Sequence, residues 1–254
     1  MKAKGFLRGA AVAAFWLLVW QCLSALVNKE LILPSPVQTA ARFISLMQEK
    51  TFWLSTLYSL CRVLGGYLAA VVLGILLGVA TAASPFLNAL LRPVRSIMKA
   101  MPVASFILLL LLWMNTAIAP AFTSFLMVLP LVWANVQEGY LQTDEQLLEM
   151  GKIFKLTKWK LILHIYWPGI FPYLLSACAT GIGFAFKAGV AAEVIAKSSY
   201  SIGKYLIESK NYLETADMFA WTALVILLSI LLERTFVHFL KKTQANERWR
   251  AASK

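Results

Sequence analysis

Two ionisable side chains inside an apolar stretch are the residues of this sequence best placed for chemistry. Lys187 and Glu193 lie within a mostly apolar run from about Pro172 to Ala196. An ionisable group at membrane depth is costly and usually faces a cavity or a partner. The two are about 240° apart around a helix, so they do not pair along one face. We therefore predict that Lys187 lines or braces a polar path, with Glu193 and Arg62 as further candidates. The alternative for Glu193 is a carboxylate that merely reaches the outer membrane interface.

No arrangement for catalysis or metal binding accompanies these charges. The sequence has no GxxxxGK[ST] phosphate loop, no HExxH zinc motif and no GxSxG nucleophile elbow. Its two histidines are His164 and His238, and its three cysteines, Cys22, Cys61 and Cys178, lack CxxC spacing. We therefore predict no catalytic residue, no metal site, no cofactor and no disulfide framework.

The composition indicates a membrane protein. Of the 254 residues, 60% are hydrophobic and 14% are charged, whereas soluble domains carry about 25% charged residues. The net charge of +12 would suit nucleic acid only if the cations formed one patch. They fall instead between apolar runs, so we predict membrane lipid and not nucleic acid as a partner.

Apolar runs predict an all-α bundle of about six transmembrane helices. The uncharged run from Ala100 to Gln137 has 38 residues, which as one helix would measure about 57 Å against a hydrocarbon core of about 30 Å. It must therefore turn back, and Asn115 to Pro120 is the natural break. The predicted spans are residues 9–28, about 58–82, two within 100–137, about 172–196 and about 216–237.

Lysine and arginine in the loops indicate the orientation, because cytoplasmic loops are enriched in both. With the N-terminus inside, the inner segments hold sixteen of the 24 lysines and arginines, and the outer segments hold six. We predict both termini in the cytoplasm. The predicted divisions are an N-terminal transmembrane helix (1–30), a core domain (31–240) and a basic cytoplasmic tail (241–254).

Small residues four apart predict close helix packing. The second span carries such a stripe from Gly66 to Ala82, and the fifth carries one from Gly181 to Gly189.

The longest inner loop, residues 139–170, has a roughly helical alternation of apolar and charged residues. We predict a short helix capped by Thr143, a turn at Thr157, and a second short helix from Trp159 to His164 that ends before Pro168. Such a pair would lie at the inner membrane face. The alternative is an interfacial pair that rests on lipid headgroups.

This loop resembles the EAA signature of permeases from binding-protein-dependent ABC importers: EAA, three residues, G, nine residues, I, any residue, LP. Glu149-Met150-Gly151 stands at EAA, Lys155 at G, Ile165 at I, and Trp167-Pro168 at LP. The spacing fits throughout. Lys155 is the main departure, because glycine there allows the tight turn between the two helices.

Three more segments resemble the sulfonate, nitrate and taurine permease group, and the resemblance covers about residues 31–240. They are LPSP at 33–36, SLCRVLGG at 59–66 and KAGVAAEV at 187–194.

The resemblance implies a type I permease of the inner membrane, usually a homodimer, served by an extracytoplasmic solute-binding protein. It also implies that the loop docks in a groove of a separate ABC ATPase. Leu147, Leu148 and Phe154 would fill that groove and Glu149 would make a polar contact, so the chain itself would not be an enzyme. ATP binding would then drive alternating access through the 144–160 helices.

The substrate that the resemblance favours is a small organic or inorganic anion, which Lys187 and Arg62 would suit. A vitamin precursor such as a pyrimidine is the alternative. An ion-coupled secondary transporter, an intramembrane enzyme and an export component are the rival functions.

Overall fold

The computed structural model describes the backbone of residues 2–252 and the side chains of residues 8, 10–157 and 159–238. Regular structure within residues 2–252 is helical, as predicted. In chain order the elements are α1 (Lys2–Val27), α2 (Pro36–Met47), α3 (Lys50–Ala83), α4 (Pro85–Ala100), α5 (Val103–Trp113), α6 (Ala119–Leu141), α7 (Glu145–Ile153), α8 (Lys158–Leu161), a π-helical segment (Ile162–Tyr166), α9 (Trp167–Ala196), α10 (Ile202–Asn211) and α11 (Thr215–Ala252).

Five of the described helices are long and apolar enough to cross a membrane, and a bent pair makes up to six. The chain turns near Asn115–Pro120 as predicted. The helix before this turn, α5, nevertheless has only 11 residues, about 16 Å, which is too short for a full crossing. It forms a pair with α4 that is bent by 107°. The predicted third span is therefore wrong as a single straight helix. Its place is taken by the bent pair α4–α5, a broken span or a re-entrant loop, which is called here the broken span.

The segments that connect the helices lie at two opposite ends of the bundle. At one end, called here the α10 end, Thr215 Oγ1 donates to the carbonyl of Leu31 at 2.7 Å and Ser198 donates to that of Thr116. Arg42 pairs there with Asp217, whose hydrogen bonds raise the pKa of Arg42. The opposite end, called the α7 end, carries residues 84–102 and 142–157.

Helices α3, α6 and α9 pack side by side to form the core. Small residues allow this close approach, as the two stripes predict. A Cβ added at Gly66 would lie 2.0 Å from the carbonyl oxygen of Ala121 in α6. A Cβ added at Gly189 would lie 2.5 Å from Val63 and 2.6 Å from the hydroxyl of Ser124. The backbones of the three core helices are therefore nearly in contact.

The amphipathic helix α4 lies against α6 at the α7 end. Arg95 donates to the side-chain oxygen of Gln137, whose amide nitrogen donates to Asn88 at 3.0 Å. The Arg95 guanidinium also lies 5.4 Å from the ring centre of Trp133. The opposite face of α4 is exposed and apolar at Phe86, Leu90, Val94 and Ile97. Helix α4 was not predicted from the sequence, because residues 83–99 were placed in the loop between the second and third spans.

Candidate functional site

The first candidate site is the turn between α7 and α8. Asp144 begins α7, since its carboxylate accepts a hydrogen bond of 2.9 Å from the backbone N–H of Gln146. The predicted cap, Thr143, is therefore wrong by one residue. Its hydroxyl donates instead to the carbonyl of Gly139, one turn back in α6. A carboxylate at this position also stabilises the positive end of the helix dipole.

Lys155 ends α7 in the left-handed conformation that the turn requires. Its φ is +48°. Its N–H bonds the carbonyl of Lys152 at 3.0 Å, and the N–H of Leu156 bonds the carbonyl of Gly151 at 2.9 Å. These two bonds form a Schellman motif, in which glycine is the usual left-handed residue. The predicted strain at Lys155 thus has a structural counterpart, because a side chain occupies a backbone conformation that favours glycine.

Gly151 allows α7 to pack on the helix that follows it. It is buried, and an added Cβ would lie 2.7 Å from Leu161 and 3.1 Å from Ile165. The motif residues Gly151 and Ile165 are therefore close neighbours in space. Their role is to hold the two helices together.

Large apolar side chains of this turn face outward. Ile153 is 76% exposed, Phe154 71% and Trp159 80%. Leu147 and Met150 on α7 are about half exposed as well, with Glu149 exposed between them. We call Leu147, Met150, Ile153, Phe154 and Trp159 the coupling surface. Leu148 is only partly exposed and Gly151 is buried, so these two predicted docking residues contribute less surface than Ile153 and Trp159, which the prediction omitted.

The helix after the turn does not end before Pro168, contrary to the prediction. Residues 159–196 form one continuous helical stretch of 38 residues. Within it, the N–H of Trp167 bonds the carbonyl of Ile162 in a π-helical turn. Such a widened turn makes room for the ring of Pro168 and tolerates the loss of the backbone hydrogen bond that proline cannot donate. The second short helix is thus the beginning of the span that carries Lys187.

The α7 end of α9 is fixed against α6. The rings of Tyr140 and Tyr166 stack with centroids 4.2 Å apart. A Cβ added at Gly139 would lie 2.9 Å from the backbone of Ile170. The turn that carries the coupling surface is therefore packed close to both α6 and α9.

The second candidate site is a polar cluster at the α10 end. The Glu193 side chain is fully buried. One carboxylate oxygen accepts from Ser59 at 2.7 Å and from the N–H of Gly203 at 3.3 Å, while the other lies 3.5 Å from Arg62. Glu193 therefore does not reach an outer surface, and the alternative interpretation of it is wrong.

Arg62 joins this cluster to the loop between α9 and α10. Its guanidinium donates to the carbonyls of Ser199 at 3.0 Å and Tyr200 at 3.4 Å. Segments 59–66 and 187–194, which the sequence analysis singled out separately, thus contact each other through Ser59, Arg62 and Glu193. Sequence reasoning did not identify Ser59 or Gly203 as partners, since neither carries a charge.

Lys187 lies apart from this cluster. It is exposed on the face of α9 that also presents Ser176, Thr180, Phe184 and Ala191, whereas the neighbouring positions 185, 186, 188 and 189 are buried. The structure therefore places Arg62 and Glu193 together and Lys187 on a separate open face. A lysine beside two hydroxyl side chains is an unfavourable surface for hydrocarbon.

The chain resembles known transport proteins in sequence and in fold. The sequence pattern of the family described as "Binding-protein-dependent transport system inner membrane component" matches residues 70–244. The nitrate import permease protein NrtB of Synechococcus elongatus is 29% identical over 221 residues, covering 83% of this chain and 78% of that protein. The taurine transport system permease protein TauC of Escherichia coli is 23% identical over 227 residues, covering 87% and 82%. A solved structure of an amino acid ABC transporter with histidines shares the fold, with a TM-score of 0.58 and 14% identity over 83% of this chain and 96% of that one.

Proposed function

The chain belongs to the family of binding-protein-dependent transport system inner membrane components and is a permease subunit of an ABC importer, and we propose that its coupling surface receives the motion of a separate ATPase. The observation that carries this proposal is the exposed apolar group at the α7–α8 turn. Ile153, Phe154 and Trp159 are each more than 70% exposed. Several large exposed apolar side chains on one short turn are typical of a protein interface.

Charges of both signs surround the coupling surface. Asp144, Glu145 and Glu149 are exposed at its start, and Lys152 and Lys155 are exposed at its end. We propose that a protein groove with polar walls of both signs accepts this segment. Phe154 and Met150 then fill the groove, and Glu149 makes the polar contact at its rim.

The proposed movement is transmitted through α9. Gly151 joins α7 to the start of the continuous 159–196 stretch, and the Tyr140–Tyr166 stack joins that stretch to α6. Closure of the ATPase would displace the coupling surface and move α6 and α9 together. Access to the path would thereby alternate between the two sides of the membrane.

The path itself is proposed to run along the open face of α9. Lys187 on this face lines it, and two copies of the chain facing each other would shield the lysine and the hydroxyls of Ser176 and Thr180 from lipid. Arg62 and Glu193 act at its outer end, where their cluster holds the α9–α10 loop in place for the binding protein. We propose a homodimer, which the open face of a single chain supports.

The orientation is proposed from the same distribution of charge. The α7 end carries Arg92, Arg95, Lys99, Lys152 and Lys155 and faces the cytoplasm. Both termini, at the start of α1 and the end of α11, then lie on that side. The proposed substrate is a small anion, which the cationic Lys187 supports together with the nitrate and taurine permeases among the relatives.

Photo-crosslinking in the assembled importer tests this function. The cysteines at 22, 61 and 178 are replaced by alanine, and a benzophenone maleimide is attached to Met150→Cys or Phe154→Cys. We expect both variants to crosslink to the ATPase, with a yield that changes when ATP is bound. The control is Tyr212→Cys, which is equally exposed at 75% but lies at the α10 end.

Transport is measured with the same variants reconstituted with the ATPase into proteoliposomes. The measured quantity is ATP-dependent uptake of nitrate and taurine in the presence of the binding protein. An importer that remains active but crosslinks only to lipid from positions 150 and 154 would contradict the docking proposal. Uptake that proceeds without ATPase and ATP would contradict the function as a whole.

A further inference from the structure

A groove lies at the bend of the broken span. Helix α4 ends at Ala100, α5 begins at Val103, and the bend of 107° between them opens a space of about 380 Å³ against α6 and α9. The polar side chains that line it are those of Lys99 and Asn135, and Phe184 lines it on the α9 side. The remaining lining is apolar and includes Met98, Met101 and Met127.

The groove lies near the α7 end of the bundle. Asn135 is sixteen residues from the start of α6 and six from its end, which corresponds to about 24 Å and about 9 Å along the helix axis. Irregular backbone at this depth, here Met101 and Pro102, is tolerated where it lines a water-filled cavity or is covered by protein. A lysine and an amide on a surface facing hydrocarbon would be costly. The groove is therefore better suited to water than to lipid chains.

The charge of the groove favours an anion. Lys99 forms no ion pair within the described side chains, and no carboxylate lines the groove. Asn135 uses one N–H in a 2.9 Å bond to the carbonyl of Leu131, which leaves its second N–H as a donor. Methionine side chains are flexible and can adapt to ligands of different shape.

The groove is also continuous with the open face of α9. Phe184 belongs to both, and Lys187 follows one turn later on the same exposed face. The two lysines are thus placed in sequence along one surface, with Lys187 nearer the α10 end. An anion that leaves Lys187 meets Lys99 and Asn135 next.

We propose that Lys99 and Asn135 form a binding station for a small anion in the cytoplasmic half of the path. The proposal rests on the proposed import function, since it places the station on the exit side. Lys99 attracts the anion by charge, Asn135 donates a hydrogen bond, and the methionine wall sets the size limit. The chemical class is a compact oxyanion or sulfonate.

Thiol reactivity at position 131, which lines the groove one turn before Asn135, tests the station without depending on transport. Leu131→Cys is made with the three native cysteines replaced by alanine, and the permease–ATPase complex is placed in phosphatidylcholine nanodiscs, which contain no anionic lipid. The probes are two methanethiosulfonates of similar size, one carrying a sulfonate and one a trimethylammonium group. We expect the sulfonate reagent to react faster and millimolar nitrate or taurine to slow it.

A second substitution isolates the charge. Lys99→Gln should lower the sulfonate-to-ammonium rate ratio by at least about fivefold, as expected for a unit charge within about 8 Å at an effective dielectric constant near 40. Lys152→Gln, which removes a lysine of α7 outside the groove, should leave the ratio unchanged.

Three results would overturn the station: a ratio that Lys99→Gln does not alter, no slowing by either anion, or a cysteine that reacts only with membrane-soluble maleimide. Failure of the station is distinguishable from failure of the import function. If a Leu131→Cys variant shows ATP-dependent uptake but neither anion protects its thiol, the station is refuted and the import function is retained. If the anions protect the thiol only when Lys99 is present, but the complex never imports, the station is supported and the import function is refuted.

Discussion

Two adjacent glycines of α3 provide a matched pair that tests the helix packing directly. A Cβ added at Gly66 would lie 2.0 Å from the carbonyl oxygen of Ala121, whereas a Cβ added at Gly65 has nothing within 4 Å. Gly66→Ala should therefore destabilise the protein, and Gly65→Ala should not. Both substitutions remove one glycine from the same helix, so their effects on the unfolded chain are alike.

The magnitude follows from the distance. A carbon–oxygen contact needs roughly 3.2 Å, so the α3 and α6 backbones would have to separate by about 1.2 Å. A gap of this size forfeits about half of the dispersion energy across the contacts that it opens. Overpacking usually costs about 1–3 kcal/mol, and a clash with rigid backbone belongs at the upper limit, about 3 kcal/mol. Gly65→Ala should instead gain up to about 1 kcal/mol from the better helix propensity of alanine.

Thermal unfolding of the detergent-solubilised chain, followed by tryptophan fluorescence, measures the difference. A cost of about 3 kcal/mol corresponds to a fall in Tm of about 6–12 °C for a chain of this size. We expect Gly66→Ala to show such a fall and Gly65→Ala to unfold at or slightly above the parent temperature. If the two variants unfold within about 2 °C of each other, α3 and α6 are not in backbone contact at Gly66.

Two further predictions concern the candidate sites. Lys155→Gly should relieve the left-handed strain and slow hydrogen exchange of the Leu156 amide by up to about fivefold. Lys152→Gly, within helix α7, should instead speed exchange of the same amide. Equal exchange rates in the two variants would contradict the Schellman geometry. Glu193→Ala should lower the free energy of unfolding by about 3–5 kcal/mol, because it leaves Arg62 without its buried partner. Glu193→Gln should lower it less, because the amide oxygen still accepts from Ser59. A Glu193→Ala variant as stable to heat as the parent would show that the cluster does not stabilise the α10 end.

The packing of the long helices was predictable from sequence because its cause is local. Gly66, Ala70, Gly74 and Gly78 recur every four residues, and a helix necessarily places them on one face. The EAA resemblance placed a turn at Lys155, two residues before the turn at Thr157 that the residue pattern alone predicted. These features need no knowledge of what lies across the bundle.

The broken span and the Glu193 cluster were not predictable by the same means. Hydropathy counts apolar residues and treats Ala100 to Gln137 as one run, so the bend before Val103 has no signal beyond Pro102. Glu193 accepts from Ser59, which is 134 positions away in the chain. Whether a buried carboxylate faces a path or a partner depends on that distant residue, and periodicity carries no information about it.

The arrangement of α9 explains why so few polar contacts could control access along the whole path. One helical stretch runs from Trp159 to Ala196, with Gly151 and the coupling surface packed at its beginning and Glu193 clamped to α3 at its end. A stiff helix held at its outer end and displaced at its inner end must tilt about the clamp, so displacement is largest near the coupling surface and smallest near Glu193. Lys187 lies close to that pivot, whereas Phe184 and the Lys99 groove lie farther from it. If the proposed mechanism holds, motion from the ATPase would displace the Lys99 groove more than the Glu193 cluster.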